Sequence, residues 1–291
     1  MTMPTYKQVI RRYENELTET DKDSNVPKVL FYHLAQKEPH QLYLMMDEEV
    51  EPELLESFEK AMALYMQGYP VQYIKGVETF FGRDFIVNEN VLIPRYETEE
   101  LVENILYHID DYFEPSIPLD VVDVGTGSGA IAISLKAEEA RLNVTATDIS
   151  FEALDVAKQN AQNIGVEIDF MQGDMLQPLL DQDMKFDIFI SNPPYIPQEQ
   201  DIEAVVKNNE PHVALFGGKD GLYFYRKIFE GVQSLLKERA ILAFEMGFDQ
   251  KEDMEKEMNH YFPNTPFKIL KDMNGKDRML FIYHNIEPKK L

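Results

Sequence analysis

Asn192-Pro193-Pro194-Tyr195 brings together a carboxamide, two residues without a backbone N–H and a phenol ring. The tetrapeptide follows the apolar run Phe186-Asp187-Ile188-Phe189-Ile190-Ser191, which reads as a buried strand, so the Asn and the Tyr stand at a strand's carboxyl end. The prolines fix φ and remove two donors, and each pushes the residue before it into extended geometry. A rigid loop results, whose carbonyls lack helix or ladder partners. A planar NH2 group suits such a loop. One of its hydrogens can meet the Asn192 side-chain oxygen and the other the Pro193 carbonyl, with Tyr195 over its face. That is a pocket for a carboxamide or for the amino group of a purine. An ordinary proline-rich turn is the bland alternative; the hydrophobic strand ahead of this tetrapeptide favours binding.

Val121 through Ile133 reads as a strand, a glycine turn and a helix start. Gly125, Gly127 and Gly129 admit positive φ and close approach of a ligand. Their G-x-G-x-G spacing is one residue short of the dinucleotide fingerprint, and Asp123 lies at the strand end just before the turn. A second strand, Asn143 to Asp148, ends in an acid about 20 residues later, the position expected of a ligand for ribose hydroxyls. These features suit S-adenosylmethionine, which has a ribose and no pyrophosphate. Asp148 could instead cap the following helix, but Ser150 is the better cap.

The chain resembles the HemK/PrmC protein-(glutamine-N5) methyltransferases, which modify class I peptide chain release factors. The matching segments are Phe81-Gly82-Arg83-Asp84-Phe85, Leu92-Ile93-Pro94-Arg95-Tyr96-Glu97-Thr98-Glu99, Asp123 to Ile133, Asp148-Ile149-Ser150 with Ala153-Leu154, Gly173-Asp174 and Ser191 to Ile196. Beyond these come Glu210-Pro211, Ala214-Leu215, Gly217 to Leu222, Glu245-Met246-Gly247 and Asp277-Arg278. Residues 76 to 284 are covered. The Asn-Pro-Pro-Tyr motif is shared with amino-group methyltransferases acting on DNA and RNA; the Ile-Pro-Arg segment and the Glu-Pro to Gly-Gly-x-Asp-Gly-Leu stretch are more specific. Tyr96 stands where the family usually has proline, which bears on the rigidity of that segment.

The resemblance implies transfer of a methyl group from S-adenosylmethionine to the glutamine of a Gly-Gly-Gln loop, leaving S-adenosylhomocysteine. Asn192, Pro193 and Tyr195 would act at the target amide. Asp123, Gly125, Thr126, Gly127, Ser128, Gly129, Asp148 and Asn192 would hold the cofactor, and Asp174 and Met175 would border the adenine. Pro194, Arg95, Thr98, Glu99 and Glu210 would join Asn192, Pro193 and Tyr195 around the substrate. Thr98 has a second reading as a helix N-cap, since Glu99-Glu100-Leu101 follows. The alternative function is N6-adenine methylation of DNA or RNA.

These residues need a scaffold, and the pattern supplies one. After Pro94, strands near 119–124, 143–148, 166–171, 186–191, 239–246, 266–271 and 278–284 alternate with helices. Alternation implies a mostly parallel sheet with helices on both faces, its ligand at the strands' carboxyl ends. The last two strands, joined by a short turn, suit an antiparallel hairpin. The expected fold is therefore α/β: a class I S-adenosylmethionine-dependent methyltransferase domain, Rossmann-like with a seven-stranded sheet, over residues 95–291. Residues 1–75 read as a helical substrate-recognition domain. In it Leu54, Leu55, Phe58, Met62, Tyr65 and Met66 form one apolar helix face, ended by Gly68-Tyr69-Pro70, and Asp21 to Asn25 is a turn between earlier helices. Residues 76–94 link the two as a β-hairpin, Thr79–Val87 against Val91–Ile93, turning at Asn88-Glu89-Asn90.

The chain has 291 residues, enough for one large and one small domain. With 52 Asp and Glu against 28 Lys and Arg, its net charge of −24 argues against a polyphosphate partner. No direct nucleic-acid substrate is expected. The absence of any cysteine excludes disulfides and thiolate metal sites, the six histidines show no metal-ligand spacing, and no metal is expected. No apolar run reaches the about 18 residues of a membrane helix, and Met1 to Tyr6 lacks the pattern of a signal peptide. A cytoplasmic monomer acting on class I release factors is the expectation.

Overall fold

The computed structural model describes residues 3–289; Met1, Thr2, Lys290 and Leu291, the ends of the expected 1–75 and 95–291 segments, lie outside the described residues. The chain forms two compact units, Met1–Gly76 with Glu203–Asn209, and Val77–Ile202 with Glu210–Leu291.

The first unit is helical: α1 (Tyr6–Leu17), α2 (Val26–Ala35), α3 (Pro39–Leu44), α4 (Pro52–Met66) and α5 (Val71–Lys75). Helix α1 starts at a capping box, in which Gln8 N–H donates to Thr5 Oγ1 (3.3 Å) and Thr5 N–H to Gln8 Oε1 (2.9 Å). Each such cap satisfies a backbone group that the first helical turn leaves without a partner. The apolar face of α4 behaves as its spacing predicts. Phe58 and Met62 are fully buried, and Leu54, Leu55, Tyr65 and Met66 pack at the edge of the same core. Phe58 stacks on Phe31 at 3.7 Å between centroids. The Met and Tyr stripe is core.

The second unit opens with a hairpin, β1 (Val77–Phe80) and β2 (Arg83–Ile86). It is shorter than the sequence suggests and turns at Phe81-Gly82, not at Asn88-Glu89-Asn90. Both turn residues have positive φ, 48° and 71°, the geometry that matches strand twist in a two-residue loop. Residues 91–93 form no strand. Next come α6 (Tyr96–Tyr112), β3 (Leu119–Val124), α7 (Ala130–Glu138), β4 (Leu142–Asp148), α8 (Phe151–Ile164), β5 (Asp169–Gln172), α9 (Gln177–Leu180) and β6 (Phe186–Ser191). Helix α10 (Ala204–Asn209) belongs to the first unit, where Asn209 Nδ2 donates to the Gly68 carbonyl at 2.9 Å. The chain ends with α11 (Tyr223–Gly231), β7 (Leu236–Glu245), α12 (Lys251–Tyr261), β8 (Phe267–Lys271) and β9 (Asp277–His284).

The sheet is seven-stranded, in the order β5-β4-β3-β6-β7-β9-β8. All pairs from β5 to β7 are parallel, and β9 is antiparallel to both its neighbours, so the expected terminal hairpin is present. Strand side chains alternate between faces, and here both faces are apolar. Val121, Ile188, Ile190, Ile241 and Ala243 join the core under α6 and α7. Val122, Phe189, Leu242 and Phe244 join the core under α11 and α12. Burial of each large side chain stabilises the fold by about 1.5–3 kcal/mol. The order reverses between β3 and β6, and α/β sheets bind ligands outside the carboxyl ends of the strands at such a reversal.

Candidate active site

The loop after β3 is shaped by its glycines. Gly125 and Gly127 have φ of 77° and 56°, and a Cβ on either would point into open space. Gly129, at φ 82°, is a packing glycine: a Cβ there would come within 2.6 Å of Ile133 Cδ1. Gly125 N–H and Thr126 N–H both donate to the Thr147 carbonyl of β4, at 2.8 and 2.9 Å. The loop is thus tied to the end of the neighbouring strand, with its two open glycines facing outward.

Asp148 completes that tie. Its Oδ2 accepts from Gly127 N–H and its Oδ1 from Ser150 N–H, each at 2.9 Å. Burial pushes its pKa up. The Ser150, Gly127 and Ile149 N–H groups oppose that rise, and a carboxylate's about four acceptor positions leave room for a ligand. Ser150 is the N-cap of α8, its Oγ accepting from Ala153 N–H at 3.1 Å, as the sequence predicts.

Asp123 lies beneath the loop, 1% exposed. Its Oδ2 accepts from Thr126 Oγ1 at 2.6 Å, and its Oδ1 has no partner. Burial pushes its pKa up to about 7; the Thr126 hydroxyl opposes the rise, the nearby Asp148 adds to it, and the neighbouring Ala132 N–H opposes it more weakly.

A cavity of about 290 Å3 sits over these strand ends. Gly125, Gly127, Asp148, Asp174, Met175, Asn192 and Pro194 line it, with Ile149, Ala153, Val213 and Phe224 adding apolar surface. Thr126, Ser128 and Gly129 lie behind the loop with Asp123 and do not line the cavity. Asp174 is exposed and its carboxylate approaches Lys227 Nζ at 3.5 Å. No composition signal singled out Val213, Phe224 or Lys227; they reach the wall from the segments after Glu210, far off in sequence.

At the other side of Asn192 lies a buried polar cluster. Asn192 Nδ2 is 3.4 Å from Thr98 Oγ1. Thr98 donates to Glu245 Oε2 at 2.6 Å, and Tyr195 donates to Glu245 Oε1 at 3.3 Å. Tyr225 donates to the Glu245 carbonyl at 2.6 Å. Desolvation, more than the neighbouring Glu245 charge, raises the Tyr195 pKa. Burial also raises that of Glu245, against the Thr98 and Tyr195 hydrogen bonds and the Arg278 charge. The N-cap of α6 is Arg95, which makes no side-chain cap; Thr98 is the third helical residue and spends its hydroxyl on Glu245. Tyr96 takes the first helical position, where a proline's missing N–H would make no difference.

The remaining expected residues are bonded to the chain itself. Arg95 pairs with Glu210 Oε1, and Ile93 N–H donates to Glu210 Oε2 at 3.1 Å. Glu99 Oε1 accepts from Phe81 N–H at 2.8 Å, fixing the hairpin turn. Asn160 of α8 anchors the hairpin's second strand through Ile86 N–H (2.6 Å) and holds the Ser128 carbonyl (2.9 Å). Among the described residues no group of His, Asp or Glu is arranged to hold a metal, and no helix is long and apolar enough to cross a membrane.

Sheet order, glycine loop and strand-end cavity define a class I methyltransferase fold. A solved methyltransferase from Pyrococcus furiosus shares it, with a TM-score of 0.52 at 18% identity over 79% of this chain and all of that one. Residues 106–209 match the methyltransferase small domain and residues 8–76 the PrmC N-terminal domain. The release factor glutamine methyltransferase of Bacillus cereus is 43% identical over 91% of this chain and 94% of its own length. That of Bacillus subtilis is 39% identical over 96% and 97%. The chain belongs to the release factor glutamine methyltransferase family.

Proposed function

We propose that this enzyme methylates the side-chain amide nitrogen (N5) of the glutamine in the Gly-Gly-Gln loop of class I release factors, using S-adenosylmethionine. The observation that carries the reading is the Asn192 carboxamide, standing at the cavity wall with its NH2 turned to Thr98. Its oxygen is thereby left for the substrate.

The cavity fits the cofactor. Open glycines allow close backbone approach, Asp148 keeps acceptor positions for ribose hydroxyls, and Ile149, Met175 and Phe224 offer apolar surface to a purine. When bound, S-adenosylmethionine supplies an electrophilic methyl group. The chain's own contribution is positional. An amide nitrogen is a poor nucleophile because its lone pair is delocalised. Asn192 Oδ1 and the Pro193 carbonyl would each take one N–H, holding the NH2 in place and aiming its lone pair. Such alignment supplies several kcal/mol. The same two acceptors stabilise the positive charge that develops on nitrogen and retain the surplus proton until water removes it. Tyr195 would cover the flat amide. Arg95 and Glu210, paired with each other, would wall the approach, and Asp174 would border the adenine.

The helical unit before residue 77 is assigned to recognition of the release factor. A glutamine loop offers few contacts, and a standard interface buries about 800 Å2 per partner. Methylation of adenine in nucleic acid is the less favoured reading, given the net charge of −24 and the release factor names of the relatives. The test is incubation with radiolabelled S-adenosylmethionine and, separately, a release factor, a Gly-Gly-Gln peptide and DNA. Label on the glutamine supports the reading; label on DNA alone overturns it.

A further inference from the structure

Glu245 closes an otherwise apolar strand end, Ala240-Ile241-Leu242-Ala243-Phe244. It is 2% exposed, and charged residues are almost never so buried unless paired. Among the described residues it makes no salt bridge. Instead its two oxygens meet two hydroxyls, Thr98 from α6 and Tyr195 from the loop after β6. Burial raises the Glu245 pKa, against the Thr98 hydroxyl, Arg278 on β9 and the Tyr195 hydroxyl, and Glu97 adds to the rise. Arg278 is itself held by Asp272 at 3.3 Å.

A hydroxyl has one hydrogen to give. Thr98 gives its hydrogen to Glu245 Oε2 at 2.6 Å, so it has none left for any other neighbour. The Thr98 oxygen can therefore only accept, and its neighbour is Asn192 Nδ2. At 3.4 Å the contact is long, so its value is in direction more than strength. Turning the Asn192 amide over would set two acceptors, Oδ1 and Thr98 Oγ1, against each other.

We infer that Glu245, acting through Thr98, fixes which way round the Asn192 amide faces and so makes the site read a carboxamide NH2 and reject a carboxylate. This rests on the glutamine methylation proposed above. With Oδ1 outward, Asn192 accepts from a substrate NH2 and repels a carboxylate oxygen. Freed to turn, it would present its own NH2, which donates to a glutamate side chain as readily as Oδ1 accepts from glutamine. Glu245 and Thr98 are positioning residues that set substrate specificity; neither reaches the reacting atoms.

The experiment compares wild type, Thr98→Val and Thr98→Ser on a Gly-Gly-Gln release factor. The competitor is the same factor with that glutamine replaced by glutamate. In Thr98→Val, methylation falls about a hundredfold through misalignment. Its preference for the glutamine form over the glutamate form, read as relative binding, narrows about tenfold, the worth of one hydrogen bond. Affinity for S-adenosylmethionine is unchanged. Thr98→Ser, which restores the hydroxyl, recovers both rate and preference. A folded Thr98→Val protein with wild-type preference, or a serine variant that recovers neither, overturns the inference. Should Thr98→Val alone unfold because it leaves a buried Glu245 oxygen without its donor, the double variant Thr98→Val with Glu245→Gln puts a neutral amide there and carries the same test. Wild-type protein that leaves the release factor unlabelled overturns the functional reading and this inference with it. A labelled wild type with unaltered preference in the variants overturns only the relay.

Discussion

Replacing Asp123 with asparagine should change how stability depends on pH. Asp123 is buried, with one oxygen held by Thr126 and the other without a partner, and its pKa is pushed from 3.8 up to about 7. The folded protein therefore keeps a proton that the unfolded chain gives up. Wherever the folded state binds more protons, stability falls as pH rises. The loss starts near the unfolded value of 3.8 and is complete above about 7. At about 1.4 kcal/mol per pH unit, the full cost at pH 8 is about 4 kcal/mol, an upper figure. Asparagine cannot ionise and escapes it. Its NH2 takes the place of an oxygen and lacks an acceptor, which costs about 1–3 kcal/mol, but at every pH alike. The quantity to follow is thus the difference in Tm between Asp123→Asn and wild type, by calorimetry without cofactor from pH 5 to 8. It should move in favour of the variant by several degrees, at about 2–4 °C per kcal/mol for a domain of this size. Asp148 titrates in both proteins and largely cancels in the difference. Parallel Tm curves across that range would refute the argument, because a partner or a water must then be meeting the orphaned oxygen.

Asn192→Ala should lower methyl transfer about a hundredfold while leaving S-adenosylmethionine binding largely intact; a wild-type rate in a release factor assay would remove Asn192 from its orienting role. Asp148→Ala should weaken cofactor binding by about 1.5–3 kcal/mol, the range for charged hydrogen bonds, and loosen the loop whose Gly127 N–H it holds. Unchanged affinity by calorimetry in the folded variant would reject the ribose assignment. A chain beginning at Val77 should still bind S-adenosylmethionine, since every residue lining the cavity belongs to the second unit. That shortened chain should lose far more activity on an intact release factor than on a Gly-Gly-Gln peptide. Equal proportional losses on both substrates would mean that the helical unit supports catalysis, not recognition.

What could be read from sequence and what could not divides along chain distance. The strand–glycine turn–helix unit, the Ser150 cap and the apolar face of α4 are local. Their residues lie within a few positions of one another, so spacing alone specifies their geometry. The hairpin is not local in this sense, because residues 88–93 carry turn and strand signals as good as those of 77–86. What decides between them is the two-residue turn at Phe81-Gly82 and the grip of Asn160 and Glu99 from elsewhere in the chain. The polar cluster at the site is the extreme case. Thr98, Asn192, Tyr195, Glu245 and Arg278 come from a helix, two strands and the loop after a third, and no window contains more than two of them. Thr98 consequently reads as a cap when only Glu99-Glu100-Leu101 is in view, yet its hydroxyl is taken by an acid far along the chain. A signal for Glu245 did exist: an acid closing the apolar run Ala240 to Phe244 must find donors or pull away from the core. That argument says a partner is needed without saying which one, and only the sheet order, which sets β7 beside β6, brings Glu245 to the loop that carries Asn192.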